Sequence, residues 1–82
     1  MMTYVEDIYV IYKEKINSEQ VHNIVLLTKN GKLKINALGL DENGKDKFMQ
    51  TIKSFCPNAV IGKTSQNMKY YKECKRKNNG GR

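Results

Sequence analysis

The dipeptide Asn30-Gly31 is the sequence feature that most narrows what this chain can fold into. It separates two runs rich in apolar and β-branched residues, at positions 21–28 and 32–38. Asn and Gly accept, at the lowest cost, the positive φ angles that a two-residue hairpin loop requires. The sequence therefore predicts an antiparallel β-hairpin with Asn30-Gly31 as its loop.

This loop also predicts a register, and the register predicts two unlike faces. With Asn30 and Gly31 alone in the loop, Leu26 lies opposite Ile35 and Lys29 opposite Lys32. Alternate residues of a strand share a face. The face expected to point into the core carries Ile24, Leu26, Leu33, Ile35 and Ala37. The other face carries Val25, Leu27, Lys29, Lys32, Lys34 and Asn36, so we expect a small cationic patch at the hairpin tip.

Further elements are predicted on either side of the hairpin. Residues 4–12 are dense in β-branched and aromatic residues, which favours a strand, and Asn17-Ser18 is the expected turn after it. A helix is expected to follow the hairpin, with Asn43 as its N-cap, and to end before Pro57. Its core-facing stripe is Phe48, Met49, Ile52, Phe55 and Cys56. Residues 58–62 are short and apolar, as in an edge strand.

A second helix is predicted from about residue 65 to residue 77, with Thr64 or Ser65 as its cap. Residues 78–82 contain no apolar side chain and are expected to form a flexible tail. The predicted fold is therefore a single α+β domain over residues 1–77. It has a small antiparallel sheet of about three strands, an amphipathic helix and a basic C-terminal helix.

Charge is unevenly distributed along the 82 residues, whose formal net charge is +7. Residues 1–44 hold five lysines against six acids, whereas residues 45–82 hold ten cations against two acids. Such asymmetry favours an anionic partner: nucleic acid, a lipid headgroup surface or an acidic protein. A solvated lysine-rich surface that maintains solubility is the alternative reading.

The composition also indicates where such a chain would work. No apolar run approaches the ~20 residues of a membrane span, and the acidic start lacks a signal-peptide pattern. We therefore expect a soluble, cytoplasmic protein. The abundance of Lys, Asn, Ile and Tyr is typical of an A/T-rich bacterial, phage or plasmid gene.

Candidate catalytic chemistry is sparse. Cys56 and Cys74 are too isolated for a metal motif, and His22 is the single histidine. The two thiols could form one disulfide, but an intracellular setting favours buried free thiols. We therefore expect no metal, no cofactor and no enzymatic activity.

The basic C-terminal helix is the strongest functional candidate. Lysine and arginine neutralise phosphates, and tyrosine can stack on exposed bases. The lysines of the hairpin would add a second contact. The candidate residues are Lys29, Lys32, Lys34, Lys69, Tyr70, Lys72, Lys75, Arg76 and Lys77. They predict a non-catalytic module for an anionic partner, with nucleic acid first and an acidic protein second.

A resemblance supports a second class of function. The hairpin run 24–35, the helix through Phe48 and Ile52, and Pro57-Asn58-Ala59 together resemble the closing strands and C-terminal helix of bacterial PH-like domains. The resemblance covers residues 4–61 and implies a ligand- or protein-binding module without catalysis. The alternative hypothesis is therefore an interaction, inhibitor or adaptor module that pairs as a homodimer. Its apolar surface would consist of Tyr9, Ile11, Val25 and Leu27.

Overall fold

The structure, a computed structural model, describes residues 4–15, 21–37 and 39–80. The predicted turn at Asn17-Ser18 and the predicted strand end at Leu38 lie outside these residues. A short 3-10 turn at Val5–Asp7 precedes the first strand. The elements are β1 (Ile8–Lys15), β2 (Val21–Thr28), β3 (Gly31–Asn36), α1 (Glu42–Phe55), β4 (Val60–Ile61) and α2 (Ser65–Gly80).

Four strands form one mixed sheet in the order β3-β2-β1-β4. Strand β2 pairs antiparallel with both β1 and β3, whereas β4 pairs parallel with β1. The α+β class is confirmed, but the predicted sheet of about three antiparallel strands differs in this detail. Parallel neighbours need a crossover connection, which α1 supplies between β3 at one edge and β4 at the other.

The hairpin register differs by two residues from the predicted one. Leu26 lies opposite Leu33, and Thr28 lies opposite Gly31. Among the described residues only glycines have positive φ, so Lys29-Asn30 forms the loop and Gly31 takes the positive angle, φ +127°. Glycine, which has no β-carbon, is the residue that accepts this angle at the end of such a loop. The Thr28 hydroxyl stabilises it by donating to the Gly31 carbonyl at 2.9 Å and accepting from the Asn30 N–H at 3.1 Å.

A register change of two residues leaves every side chain on its predicted face. Lys32 lies opposite Leu27 and Lys34 opposite Val25, so both lysines are on the face predicted for them. Lys29, however, lies in the turn and has no partner lysine across the ladder.

Strand β1 starts later and ends later than predicted. Residues 5–7 form a 3-10 turn, in which the Asp7 N–H donates to the Tyr4 carbonyl at 2.9 Å. The pairing of β1 with β2 then shifts between Ile8 and Val10. Because of this bulge, the neighbours Tyr9 and Val10 pack on the same side of the sheet.

The two helices cover opposite faces of the sheet. The core beneath α1 is built from Ile8, Ile11, Ile24, Leu26, Ala37, Met49, Cys56 and Ala59, with Phe48 and Ile52 packed against it. The core beneath α2 is built from Tyr9, Val10, Tyr12, Val25 and Leu27, with Met68, Tyr70, Tyr71 and Cys74 packed against it. Both faces of the sheet are therefore buried, each beneath one helix.

The apolar surface expected for a homodimer is buried in the two cores, so that expectation about the exposed surface is wrong. Tyr9, Val25 and Leu27 are buried under α2, and the bulge in β1 places Ile11 in the core beneath α1. From the sequence alone that sheet face is expected to be uncovered, because nothing in the sequence indicates on which side the second helix packs.

Helix α1 begins and ends differently from its prediction. Its N-cap is Asp41, whose carboxylate accepts from the Gly44 N–H at 2.6 Å, and not Asn43. Phe55 was expected in the core but is 67% exposed. It is the last residue of α1, and the next residue, Cys56, turns the chain into the core.

The two cysteines lie on opposite sides of the sheet, so no disulfide joins them in the folded chain. Cys56 is buried, and burial raises the pKa of its thiol. Cys74 on α2 is only half-buried. The thiolate is the reactive form of cysteine. In the native protein, Cys74 should therefore react rapidly with a thiol reagent, whereas Cys56 should react only upon unfolding.

The reaction rates of the two thiols with a chromogenic thiol reagent, measured under native and denaturing conditions, test this prediction. Cys74→Ser should remove the fast phase, and Cys56→Ser should remove the slow one. Two fast thiols in the native wild type would contradict the burial of Cys56.

Candidate nucleic-acid interface

The start of α2 is set by the loop that leaves β4. Gly62 has a φ of +110°, and its N–H donates to the Ile11 carbonyl at 2.8 Å. Thr64, one of the two predicted caps, accepts from the Asn67 N–H at 3.0 Å. The Asn67 amide in turn donates to the Ile61 carbonyl at 3.1 Å. These bonds anchor the first turn of α2 to the end of β4.

Two tyrosines fix the inner side of α2 to the sheet. The Tyr71 hydroxyl donates to the carbonyl of Thr28 at 2.9 Å, and the Tyr70 hydroxyl donates to the carbonyl of Asn58. The rings of Tyr70 and Tyr71 pack against Tyr9, at centroid distances of 6.5 and 6.3 Å. Burial, with a smaller contribution from Cys74, raises the pKa of Tyr70. The sequence predicts Tyr70 as a base-stacking residue, but its ring packs against Tyr9 in the interior.

The outer side of α2 carries a row of charged side chains. Lys69, Lys72 and Arg76 are exposed at i, i+3 and i+7, with exposed Glu73 and Lys77 beside them. At 1.5 Å per residue this row extends about 10 Å.

Lys75 is turned partly inward on α2. Its Nζ lies 5.3 Å from the centroid of the Tyr71 ring, within cation–π range. Of the predicted helix lysines, it alone is half-buried rather than exposed.

The hairpin lysines share the side of the sheet that α2 covers. Lys32 and Lys34 pair with Leu27 and Val25, two residues of the core beneath α2. Lys34 also forms an ion pair with Glu14, at 3.3 Å between Nζ and Oε1. The structure therefore brings two lysines of the hairpin onto the same side as the basic helix.

Lys63 joins this side although sequence reasoning did not include it. Its Nζ lies 5.2 Å from the centroid of the Tyr12 ring, which belongs to the core beneath α2. The signal in the sequence was weak, because Lys63 precedes the predicted helix and is separated from the lysine run.

Charge is segregated between the two sides of the sheet. Glu6, Asp7, Lys15 and Lys29 lie in turns or at a strand end and are counted on neither side. Among the other described residues, the α2 side has eight cations against Glu14 and Glu73. These cations are Lys32, Lys34, Lys63, Lys69, Lys72, Lys75, Arg76 and Lys77. We call this set the cationic side. The α1 side has four lysines, at positions 13, 45, 47 and 53, against three acids, at positions 41, 42 and 46.

Two of the three acids on the α1 side, Glu42 and Asp46, are engaged by lysines of that same side. The Lys13 Nζ binds the Asp46 carboxylate at 2.9 Å and the Glu42 carboxylate at 3.2 Å. The hydrogen bond that Lys13 donates to Asp46, and then the one it donates to Glu42, raise the pKa of Lys13. Lys45, which is buried, approaches Glu42 at 3.8 Å. These ion pairs join β1 to α1 and leave the cationic side with only its own two acids.

Other kinds of site find little support in the described residues. Within residues 4–15, 21–37 and 39–80, no group of three His, Cys, Asp or Glu side chains could hold a metal ion. The helices of that part of the chain are too short and too polar to cross a membrane.

In comparisons with known proteins, the chain matches no protein-family model, no curated protein and no solved structure. The resemblance to bacterial PH-like domains therefore stays a prediction.

Proposed function

We propose that this protein is a non-catalytic module that binds nucleic acid through its cationic side. The observation that carries the proposal is the segregation of charge: eight cations against two acids lie on one side of the sheet. The exposed row on α2 supplies the main contact, and the lysines of β3 supply a second one.

Binding by such a surface is driven by phosphate neutralisation. Each lysine or arginine that contacts a phosphate releases condensed counterions, so affinity falls steeply as salt is added. The exposed positions of Lys69, Lys72 and Arg76 leave them free to reach phosphates without any change in the core.

An interaction or homodimer module was the alternative, and its apolar surface is buried. Tyr9, Val25 and Leu27 contact α2, so they offer no surface to a second protein. An acidic protein would meet the same cationic side, and it serves as a competitor in the test below.

The test compares two double variants that remove the same charge from opposite sides of the sheet. Lys69→Ala with Lys72→Ala removes two exposed lysines of α2, and Lys47→Ala with Lys53→Ala removes two exposed lysines of α1. We expect the α2 variant to bind random-sequence nucleic acid about 10- to 100-fold more weakly than the wild type at 0.1 M salt. The logarithm of its binding constant should depend on the logarithm of salt with a slope shallower by about 1.8.

Fluorescence anisotropy across a salt series measures both quantities. The α1 variant should bind as the wild type does, which separates a local contact from a general effect of net charge. Equal losses in the two variants, or a wild type that binds no nucleic acid at low salt, would contradict the proposal. Polyglutamate serves as the acidic competitor. We expect it to displace the nucleic acid only when its carboxylates are at a far higher concentration than the phosphates.

A further inference from the structure

The aromatic rings on the cationic side are already occupied. Proteins that bind single strands without sequence preference combine cations with exposed rings on which bases stack. Tyr9 and Tyr12 are buried, and the hydroxyls of Tyr70 and Tyr71 donate to backbone carbonyls. Lysine ammonium groups lie over the rings of Tyr12 and Tyr71. Stacking on a base would require breaking this packing.

The exposed aromatic side chains of the described chain lie elsewhere. Phe55, 67% exposed, ends α1 on the opposite side of the sheet, and Tyr4, 59% exposed, precedes the 3-10 turn. Neither belongs to α2 or β3. Contacts from the cationic side are thus ammonium and guanidinium groups, which neutralise phosphates and offer no ring on which a base can stack.

A surface that binds through charge and without stacking favours the partner with the highest phosphate density. Duplex DNA carries one charge per about 1.7 Å of its axis, against one per about 3.4 Å for each strand. Without stacking energy, a single strand offers this surface fewer contacts over the same length.

The cationic side holds two rows of cations rather than one. Helix α2 packs mainly on β1, and β3 lies two strands away in the sheet. Lys32 and Lys34 are exposed, so a partner that is broad enough can contact both β3 and the outer side of α2.

We infer that the cationic side binds double-stranded nucleic acid through its phosphates, with α2 supplying one row of contacts and the lysines of β3 a second. This inference rests on the proposed function and specifies its substrate class. It implies binding without sequence preference, because phosphates carry no sequence information directly.

The test measures the wild type against a short duplex and against one of its strands, by anisotropy at equal salt. We expect the duplex to bind about tenfold more tightly or better, since it doubles the phosphate density. Two duplexes of unrelated sequence should bind within about twofold of one another.

A second variant tests the contribution of β3. Lys32→Ala with Lys34→Ala should make the salt slope for the duplex shallower by about 1.8, whereas the Lys47 and Lys53 control should not. Circular dichroism melting confirms that each variant is folded.

The outcomes separate the two proposals. A single strand that binds as tightly as the duplex, or more tightly, would overturn this inference while leaving the proposed function standing. A β3 variant that keeps the wild-type slope overturns the second contact. Absence of binding to either form at low salt removes both the inference and the proposed function.

Discussion

Replacing Val25 by aspartate is expected to remove a large fraction of the free energy of unfolding of this chain. Val25 is fully buried on β2, in the core beneath α2. A carboxylate there loses its hydration beneath α2, and the ammonium of its cross-strand neighbour Lys34 is directed to Glu14 at the surface, so we expect a cost of at least about 4 kcal/mol. A domain of this size has a total stability of only about 4–12 kcal/mol. Far-ultraviolet circular dichroism and urea titration measure the loss.

The matched control places the same substitution at an exposed valine. Val5 is 45% exposed in the 3-10 turn, where an acid is well tolerated. Val5→Asp should therefore change the free energy of unfolding by less than about 1 kcal/mol. If Val25→Asp were as stable as Val5→Asp, then α2 would not cover the sheet, and the cationic side would lose its scaffold.

The second large effect is expected at Leu26, which faces Leu33 directly across the β2–β3 ladder. Leu26 is 6% exposed and belongs to the core beneath α1, whereas Leu33 is 45% exposed. Leu26→Ala should cost about 2–5 kcal/mol, because it removes apolar contacts and leaves a cavity. Leu33→Ala should cost about 1 kcal/mol, since much of its side chain already contacts water.

Thermal melts of the two variants are enough to compare them. In a domain of this size each 1 kcal/mol lowers Tm by about 4–8 °C, so the two leucines should differ visibly. Equal shifts would mean that α1 covers β3 as fully as it covers β2, in conflict with the exposure of Leu33.

These two leucines show which features of the fold can be predicted from the sequence and which cannot. Alternation with a period of two places Leu26 and Leu33 on one face whichever loop closes the hairpin. How deeply each is buried depends on where α1 lies, and α1 packs mainly on β1 and β4 as it crosses the sheet. A pattern local to one strand has no information about that placement.

The hairpin loop illustrates a competition between two local solutions. Asn30-Gly31 predicts a two-residue loop, but Thr28 stabilises a loop of Lys29-Asn30 in which Gly31 alone takes the positive φ. Both loops use the glycine, so its presence indicated the turn and not the register. The same limit applies to α1, where Asp41 caps the helix in place of Asn43.

The candidate site divides in the same way. The lysines of α2 were identified because they cluster within one amphipathic segment, and the outward positions of Lys69, Lys72 and Arg76 follow from helical spacing. Tyr70 was assigned to the surface because its contacts with Tyr9 and Asn58 join residues far apart in the chain. Lys63 was missed because only the fold places it beside Tyr12.

By itself, the sequence determined the α+β class, the three antiparallel strands, both helices and an excess of positive charge in the second half of the chain. These follow from short-range periodicity and composition. Tertiary structure alone decided that β4 runs parallel to β1, that α1 and α2 cover opposite faces, and that two hairpin lysines and the basic helix share one side. The physical reason is that helix placement depends on how whole apolar faces are buried against each other, which no local segment specifies.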